Sequence, residues 1–363
     1  MPTREQQRLL RDVMIQNQVY LERLKANEVR KLDPVLRSLD RAVQAALAAL
    51  GDTPSRTLLE RTLARLRAQN AEVLARYTAE FTGTLKALSR HATGLHAEAL
   101  RLVWPTNAPA LATPTTAAAW AATLAEPVQA TGQLLEPFTK SFTARAIAVI
   151  DRAIRVGIVQ GLPTADIVRQ LRGTKAANYR DGLIAGILKR EGDAMVRTAI
   201  QHVNVQGQMA VASANSNLVK RYRWLSTLDS RTSQICRSLD GRIYIIGKGP
   251  LPPAHINCRS FILLLVDDID PTVGTKRASK GAEGGQQVDA AITYYDWLKT
   301  QPYEFQIDAL GASRAALFRK GGLSAQQFAD LNLDKNFQPL TLEQMRKKNP
   351  AAFARAGLLS PTE

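Results

Sequence analysis

Cys236, His255 and Cys258 are the residues of this chain whose types and spacing could do chemistry. Its only two cysteines fall in one stretch, Trp224 to Ser260, and His255-x-x-Cys258 is a spacing that zinc sites use. A fourth ligand is missing from the obvious place. Asp229 or Asp240 could complete a tetrahedron, or water could, which would make an open site capable of catalysis. Zinc is thus one reading of the trio and a Cys236–Cys258 disulfide a second. Packing of two free cysteines is the leading one.

An enzymatic reading would make Cys236 a nucleophile with His255 as its base, or would use a metal-bound water in a hydrolase or nuclease-like reaction. Nothing else marks a substrate pocket: the chain has no glycine-rich phosphate loop, nucleophile elbow or paired-carboxylate signature. We therefore expect no enzyme, no catalytic residues and no cofactor, with zinc the one candidate ion. His91, His96 and His202 lie on helical segments, where a satisfied core or surface histidine is the default.

The elements around the trio have structural work of their own. Asp229 before Ser230-Arg231-Thr232 suits a turn or helix start, because its carboxylate can accept backbone N–H bonds. Asp240-Gly241 between two apolar runs predicts a hairpin turn. Pro250, Pro252 and Pro253 stiffen the approach to His255. An ion pair from Arg231 to Asp229 or Asp240 would lock these turns if buried and bidentate. Lys220 to Trp224, Arg242 to Ile246 and Phe261 to Val266 read as strands, so a small sheet or hairpin set should sit here.

Most of the remaining chain has helical spacing. Apolar residues recur from Leu9 to Leu50 as a helical hairpin or one long bent helix, with Asp33-Pro34 the candidate kink. Thr53 as N-cap and Pro54 at the first helical position open the next helix, which runs uninterrupted toward Pro105. Thr106 to Thr116 reads as a linker, followed by a short helix around Trp120, one ending at Gly161 and one from Thr164 stopped by Gly173. Arg180 to about Ser216 reads as one long helix whose Gly182, Gly186, Gly192 and Gly207 suggest close contacts or a bend. Asp267 to Gln287 has the composition of a flexible arm. Tyr294 opens a helical tail, with capping boxes at Ser324–Gln327 and Thr341–Gln344.

The expected organisation is an N-terminal long-helix region (1–105), a second helical region (106–219), a module (220–266), a flexible basic Gly-rich loop (267–290) and a helical C-terminal tail (291–363). The fold class is mainly α, with long helices in bundles and a small α+β module around 220–266. Hydrophobic residues at 45% of 363 support real cores and exclude a disordered chain. No apolar run follows Met1, and no stretch of about 18 apolar residues occurs, so neither a classical signal nor a membrane span is expected. Two cysteines are too few for a disulfide scaffold and fit a reducing cytoplasm. The formal charge of +16 predicts attraction to polyanions or acidic surfaces.

The ordered run of Trp224, Thr227, Asp229, Arg231, Thr232, Cys236, Asp240, Gly241, Pro252, Pro253, His255, Cys258 and Arg259 resembles the Mu-F-like minor head proteins of tailed bacteriophages. The run covers roughly a tenth of the chain, and Ser233 and Ser260 stand where many members carry cysteine, which weakens the zinc reading. Arg197-Thr198-Ala199 matches an upstream Arg-Thr-Glu-like step only in part. Asp296-Trp297-Leu298, Gln301-Pro302, Leu310-Gly311 with Arg314, Leu317-Phe318-Arg319, Gly322-Leu323-Ser324, Leu340-Thr341-Leu342 and Ala356-Gly357-Leu358 also occur in the order seen in phage head morphogenesis proteins.

The resemblance implies a structural head protein near the portal vertex or in the capsid interior, made in the host cytoplasm. Its implied partners are the portal protein and the major capsid or scaffolding protein, in multiple copies per virion, with no membrane while in the head. Packaged DNA would meet Lys220, Arg221, Arg223, Lys276, Arg277, Lys280 and Arg346 to Lys348 without sequence preference. A DNA-binding internal protein ejected with the genome is the alternative.

Overall fold

A stripe of leucines at helical spacing can be buried only lengthwise against a partner, and the first two helices do this for each other. The structure, a computed structural model, describes residues 3–266, 270, 272 and 274–358. Helix α1 spans Arg4–Leu50 and α2 spans Arg56–Arg101. Each is about 70 Å long at 1.5 Å per residue. Of the two arrangements open to the first segment, the chain adopts the single helix, with Pro34 inside it. Thr3 and Gln6 form a capping box at its start. Helix α2 begins two residues past the expected Thr53–Pro54 start, because Ser55 takes the cap and accepts the Leu58 N–H.

Helices α3 (Thr116–Ala125), α4 (Leu135–Val159) and α5 (Thr164–Arg172) follow where the sequence placed them. The long helix expected from Arg180 begins three residues later, at Leu183, and runs unbroken to Ala214, but its first six residues are not α-helical. A π-helical turn, Leu183–Leu188, leads into α6, Lys189–Ala214. The glycines accompany the late start and the change of pitch. A Cβ on Gly182 would lie 2.2 Å from the Arg172 carbonyl carbon, and one on Gly186 would lie 2.2 Å from the Arg180 oxygen, so the chain doubles back tightly there. Gly192 and Gly207 serve close helix contact: an added Cβ would sit 2.8 Å from Leu32 and 2.8 Å from Ala92.

Helix α6 is consequently the axis of the bundle. Every residue from Thr198 to Met209 is buried, as happens only for a helix surrounded on all sides. Its polar residues must then find partners inside the protein. Asn204 accepts from Asn17 of α1, while Gln201 and Gln208 donate to the module described below. His96 and His202 are buried too, and burial lowers their pKa values to about 3 and about 4, so both are neutral.

The module begins with β1, Val219–Leu225, followed by β2 (Leu228–Asp229), α7 (Gln234–Leu239), β3 (Ile243–Ile245) and β4 (Phe261–Val266). Strand β1 lies between β3 and β4, antiparallel to both, with Tyr222 opposite Tyr244 and Leu264. Beyond it the chain differs from expectation. The stretch read as a flexible basic loop forms a hairpin of β5, Lys276–Gly281, and β6, Gly284–Asp289, and β5 pairs in parallel with β2. Residues 267–269, 271 and 273 of that stretch lie outside the described residues.

The tail forms α8 (Tyr294–Lys299), α9 (Tyr303–Leu310), α10 (Ala312–Lys320), α11 (Ala325–Leu331), α12 (Leu342–Lys348) and α13 (Pro350–Arg355). Both expected capping boxes are present, at α11 and α12. Among the described residues three hydrophobic clusters result. One fills the bundle, one joins the module to the ends of α1, α2 and α6, and one gathers Tyr294, Tyr295, Trp297, Phe318 and Phe328 in the tail. The fold is mainly α with, among the described residues, two small three-stranded sheets. No helix among the described residues is long and apolar enough to cross a membrane.

Candidate functional site in the Trp224 to Ser260 module

Strand β1 delivers Trp224, fully buried, and its indole N–H donates to Ser226 Oγ at 2.9 Å. Ser226 is the hub of the module. Its hydroxyl donates to the Cys236 carbonyl at 2.7 Å and accepts from Ser260 at 3.1 Å, and its backbone N–H donates to Asp240 at 2.6 Å. Asp240, fully enclosed, also accepts from Arg277 of β5 at 2.9 Å. Burial pushes the Asp240 carboxyl above its usual range against the opposing pull of Arg277.

The expected hairpin turn at Asp240-Gly241 is a different device. Asp240 ends α7, and Gly241, with φ of 80°, turns the chain into β3 while its N–H donates to the Trp224 carbonyl. The left-handed conformation there favours glycine, and Asp240 points inward because Ser226 and Arg277 both need its oxygens.

Asp229 does form the expected turn: its Oδ1 accepts from the Arg231 N–H at 3.1 Å and the Thr232 hydroxyl at 3.0 Å. The ion pairs are not those expected. Arg231 is exposed and meets Asp229 only through its backbone, whereas Arg259 grips both Asp229 oxygens at 2.7 and 2.8 Å. Arg259 arrives from the loop before β4.

That loop also carries His255 and Cys258. Cys236 Sγ lies 3.1 Å from His255 Nε2 and 3.6 Å from Cys258 Sγ. All three potential ligand atoms lie within 4.8 Å of one another. The cysteines are buried and not bonded to each other. Burial opposes ionisation of both thiols, but hydrogen bonding to Cys236 and His255 reverses this at Cys258, whose pKa falls below the ordinary range while that of Cys236 rises. Asp229 and Asp240, the carboxylates considered as fourth ligands, are both committed to arginines.

Residues to which the sequence assigned no role in the module hold this loop from behind. Thr198 accepts from the Asn257 N–H at 3.1 Å, and Gln201 donates to the Ser260 carbonyl at 2.8 Å. Gln201 in turn accepts from the buried Lys25 of α1 at 2.9 Å, which also bonds Glu22. On the other side, Gln234 donates to the Asn332 and Leu340 carbonyls, and Tyr294 donates to the Asp229 carbonyl at 2.7 Å. The module is therefore bonded to both the bundle and the tail.

The proposed DNA-contact residues divide. Lys220, Lys276 and Lys280 are exposed and Arg221 is partly so. Arg223 and Arg277 are turned inward, Arg223 onto Asp270 and the Gly241 carbonyl, Arg277 onto Asp240 and the Ser226 carbonyl. Internal ion pairs take both guanidinium groups out of the surface. In the tail, Lys347 pairs with Glu343 and Lys348 bonds the Leu333 carbonyl.

No curated protein and no solved structure matches the chain. A family model does: residues 148–263 match the family described as Phage Mu protein F like protein, from the second half of α4 to β4. Over that stretch, bundle axis and module together, the chain is similar to the Phage Mu protein F like family.

Proposed function

We propose that this phage head-related protein is a minor head protein, a structural component of head assembly placed at the portal vertex or in the capsid interior. The observation that carries the reading is the family match over residues 148–263. The chemistry of the module supports it. The buried polar side chains Ser226, Asp240, Gln201 and Thr198 are bonded within the protein, which is how a rigid staple between helical segments uses them. The two long helices offer extended faces for the portal protein, the major capsid protein or a scaffolding protein, in several copies per particle.

Mass spectrometry of procapsids and mature virions tests this. The protein should be found in one or both and should co-purify with portal or capsid subunits; absence from both particles would sink the reading.

The net charge of +16 together with the exposed Lys220, Lys276 and Lys280 favours a second role, non-specific contact with packaged DNA. Each phosphate contact adds about 0.9 to the fall of log affinity with log salt. Gel retardation of random duplex DNA should therefore weaken steeply as salt rises, and less steeply in a Lys220→Ala, Lys276→Ala, Lys280→Ala triple variant. Retardation indifferent to salt, or none at low salt, removes the DNA role and leaves the assembly role standing.

A further inference from the structure

We propose that Cys236, His255 and Cys258 bind one zinc ion, with solvent as the fourth ligand, and that this ion fastens α7 to the loop preceding β4. The inference rests on the geometry of the module and is independent of the assembly role.

The first argument is metric. Tetrahedral zinc, with bonds of about 2.3 Å to sulfur and about 2.0–2.1 Å to nitrogen, sets its ligand atoms about 3.8 Å apart for two sulfurs and about 3.5 Å apart for sulfur and nitrogen. The observed separations are 3.6 Å for Cys236 Sγ to Cys258 Sγ and 3.1 Å for Cys236 Sγ to His255 Nε2. An ion therefore enters with side-chain shifts of a few tenths of an ångström along these edges. A disulfide would need the sulfurs to close to about 2.05 Å, a far larger movement.

The second argument is the orientation of the imidazole. His255 Nδ1 donates to the Ile256 carbonyl at 2.8 Å, which places the proton on Nδ1 and leaves the Nε2 lone pair facing the two sulfurs. A ring nitrogen bonded to a backbone carbonyl is the usual outer support of a metal-bound histidine. The ring is only partly buried while both cysteines are enclosed, so the side of the trio open to water is the side of the histidine.

The third argument is chemical. Two sulfurs and an imidazole suit zinc, not magnesium or calcium, which take oxygen ligands. On binding, each thiol releases its proton to solvent, and two thiolates with a neutral imidazole balance the two charges of the ion. The buried centre then carries no net charge, and no oxidation or reduction occurs. Ser233 and Ser260, hydroxyl residues close in sequence to the two cysteines, supply no further thiolate, so the ligand set stays at three and solvent completes it.

The test uses the full chain, incubated with zinc sulfate, desalted and analysed for metal. We expect about one zinc per chain, and a cobalt-substituted sample with thiolate-to-cobalt charge-transfer absorption. Cys258→Ser and His255→Ala should each reduce zinc content, and Cys258→Ser should weaken the charge-transfer band. Zinc below about a tenth per chain, or a cobalt sample lacking that band, overturns the proposal, and both readings come from the unaltered protein even if a variant fails to fold. Full zinc retention by a folded Cys258→Ser, His255→Ala double variant also overturns it, because the ion would then lie elsewhere.

Discussion

Asp240→Ala is expected to destabilise the protein by about 3–5 kcal/mol, the cost of leaving a buried charge without its partner. Asp240 is fully enclosed, and Arg277 is nearly so, with its Nη2 held by Asp240 and the Ser226 carbonyl. Removing the carboxylate strands the guanidinium and also leaves the Ser226 N–H without an acceptor. Because Ser226 bonds the Cys236 carbonyl, Ser260 and the Trp224 indole, the damage should spread through the module.

The sign of the second substitution distinguishes this mechanism from simple loss of packing. Burial pushes the Asp240 carboxyl up, so the charged pair is itself costly to enclose, and stability comes from each charge answering the other. Adding Arg277→Met to Asp240→Ala should therefore restore part of the loss, in place of a further loss. Denaturant unfolding of the two single variants and the double variant measures the coupling. Additive destabilisation would show that the pair is not what holds β5 to the module.

The sequence was most legible where residues act locally. Helical periodicity located α1, α2 and α4 because burial of a leucine stripe needs no long-range information, and the capping boxes at Ser324 and Thr341 are closed within four residues. The cysteine and histidine trio stood out because rare residue types cluster in one stretch. Partners across long separations were not legible. Arg231 looked like the mate of Asp229 by proximity, while the true mate, Arg259, stands thirty residues later, at a position the family resemblance matched without assigning its role. Lys276–Gly281 lacks the apolar alternation of a strand, since β5 is held by pairing with β2 and by the Arg277 ion pair. The Leu183–Leu188 run fits a helix of either pitch, and only the closeness of Arg172 and Arg180 to its glycines selects the π-helical turn.

The same contrast between neighbour and partner yields the second large effect. Asp229→Ala should cost about 2–3 kcal/mol, the range for hydrogen bonds to a charged group, whereas Arg231→Ala should stay within about 0.5 kcal/mol. Asp229 ends β2, accepts two bonds from Arg259 and closes the turn onto Thr232 and the Arg231 N–H, so one carboxylate ties β2, the loop before β4 and the approach to α7 together. Burial opposes its ionisation, but Arg259, Thr232 and the Arg231 N–H outweigh burial and hold its pKa below the usual range. A carboxylate with a depressed folded pKa contributes stability above its unfolded value of about 3.9 and loses it as pH falls further. The difference between the natural chain and Asp229→Ala should accordingly be full at neutral pH and shrink only in acid. Arg259→Lys, which keeps the charge but loses the planar two-pronged grip, should fall between the two alanine variants. Thermal midpoints and incorporation into heads should rank the variants in the same order; an Arg231→Ala defect as large as that of Asp229→Ala would mean that the exposed arginine meets a partner subunit instead.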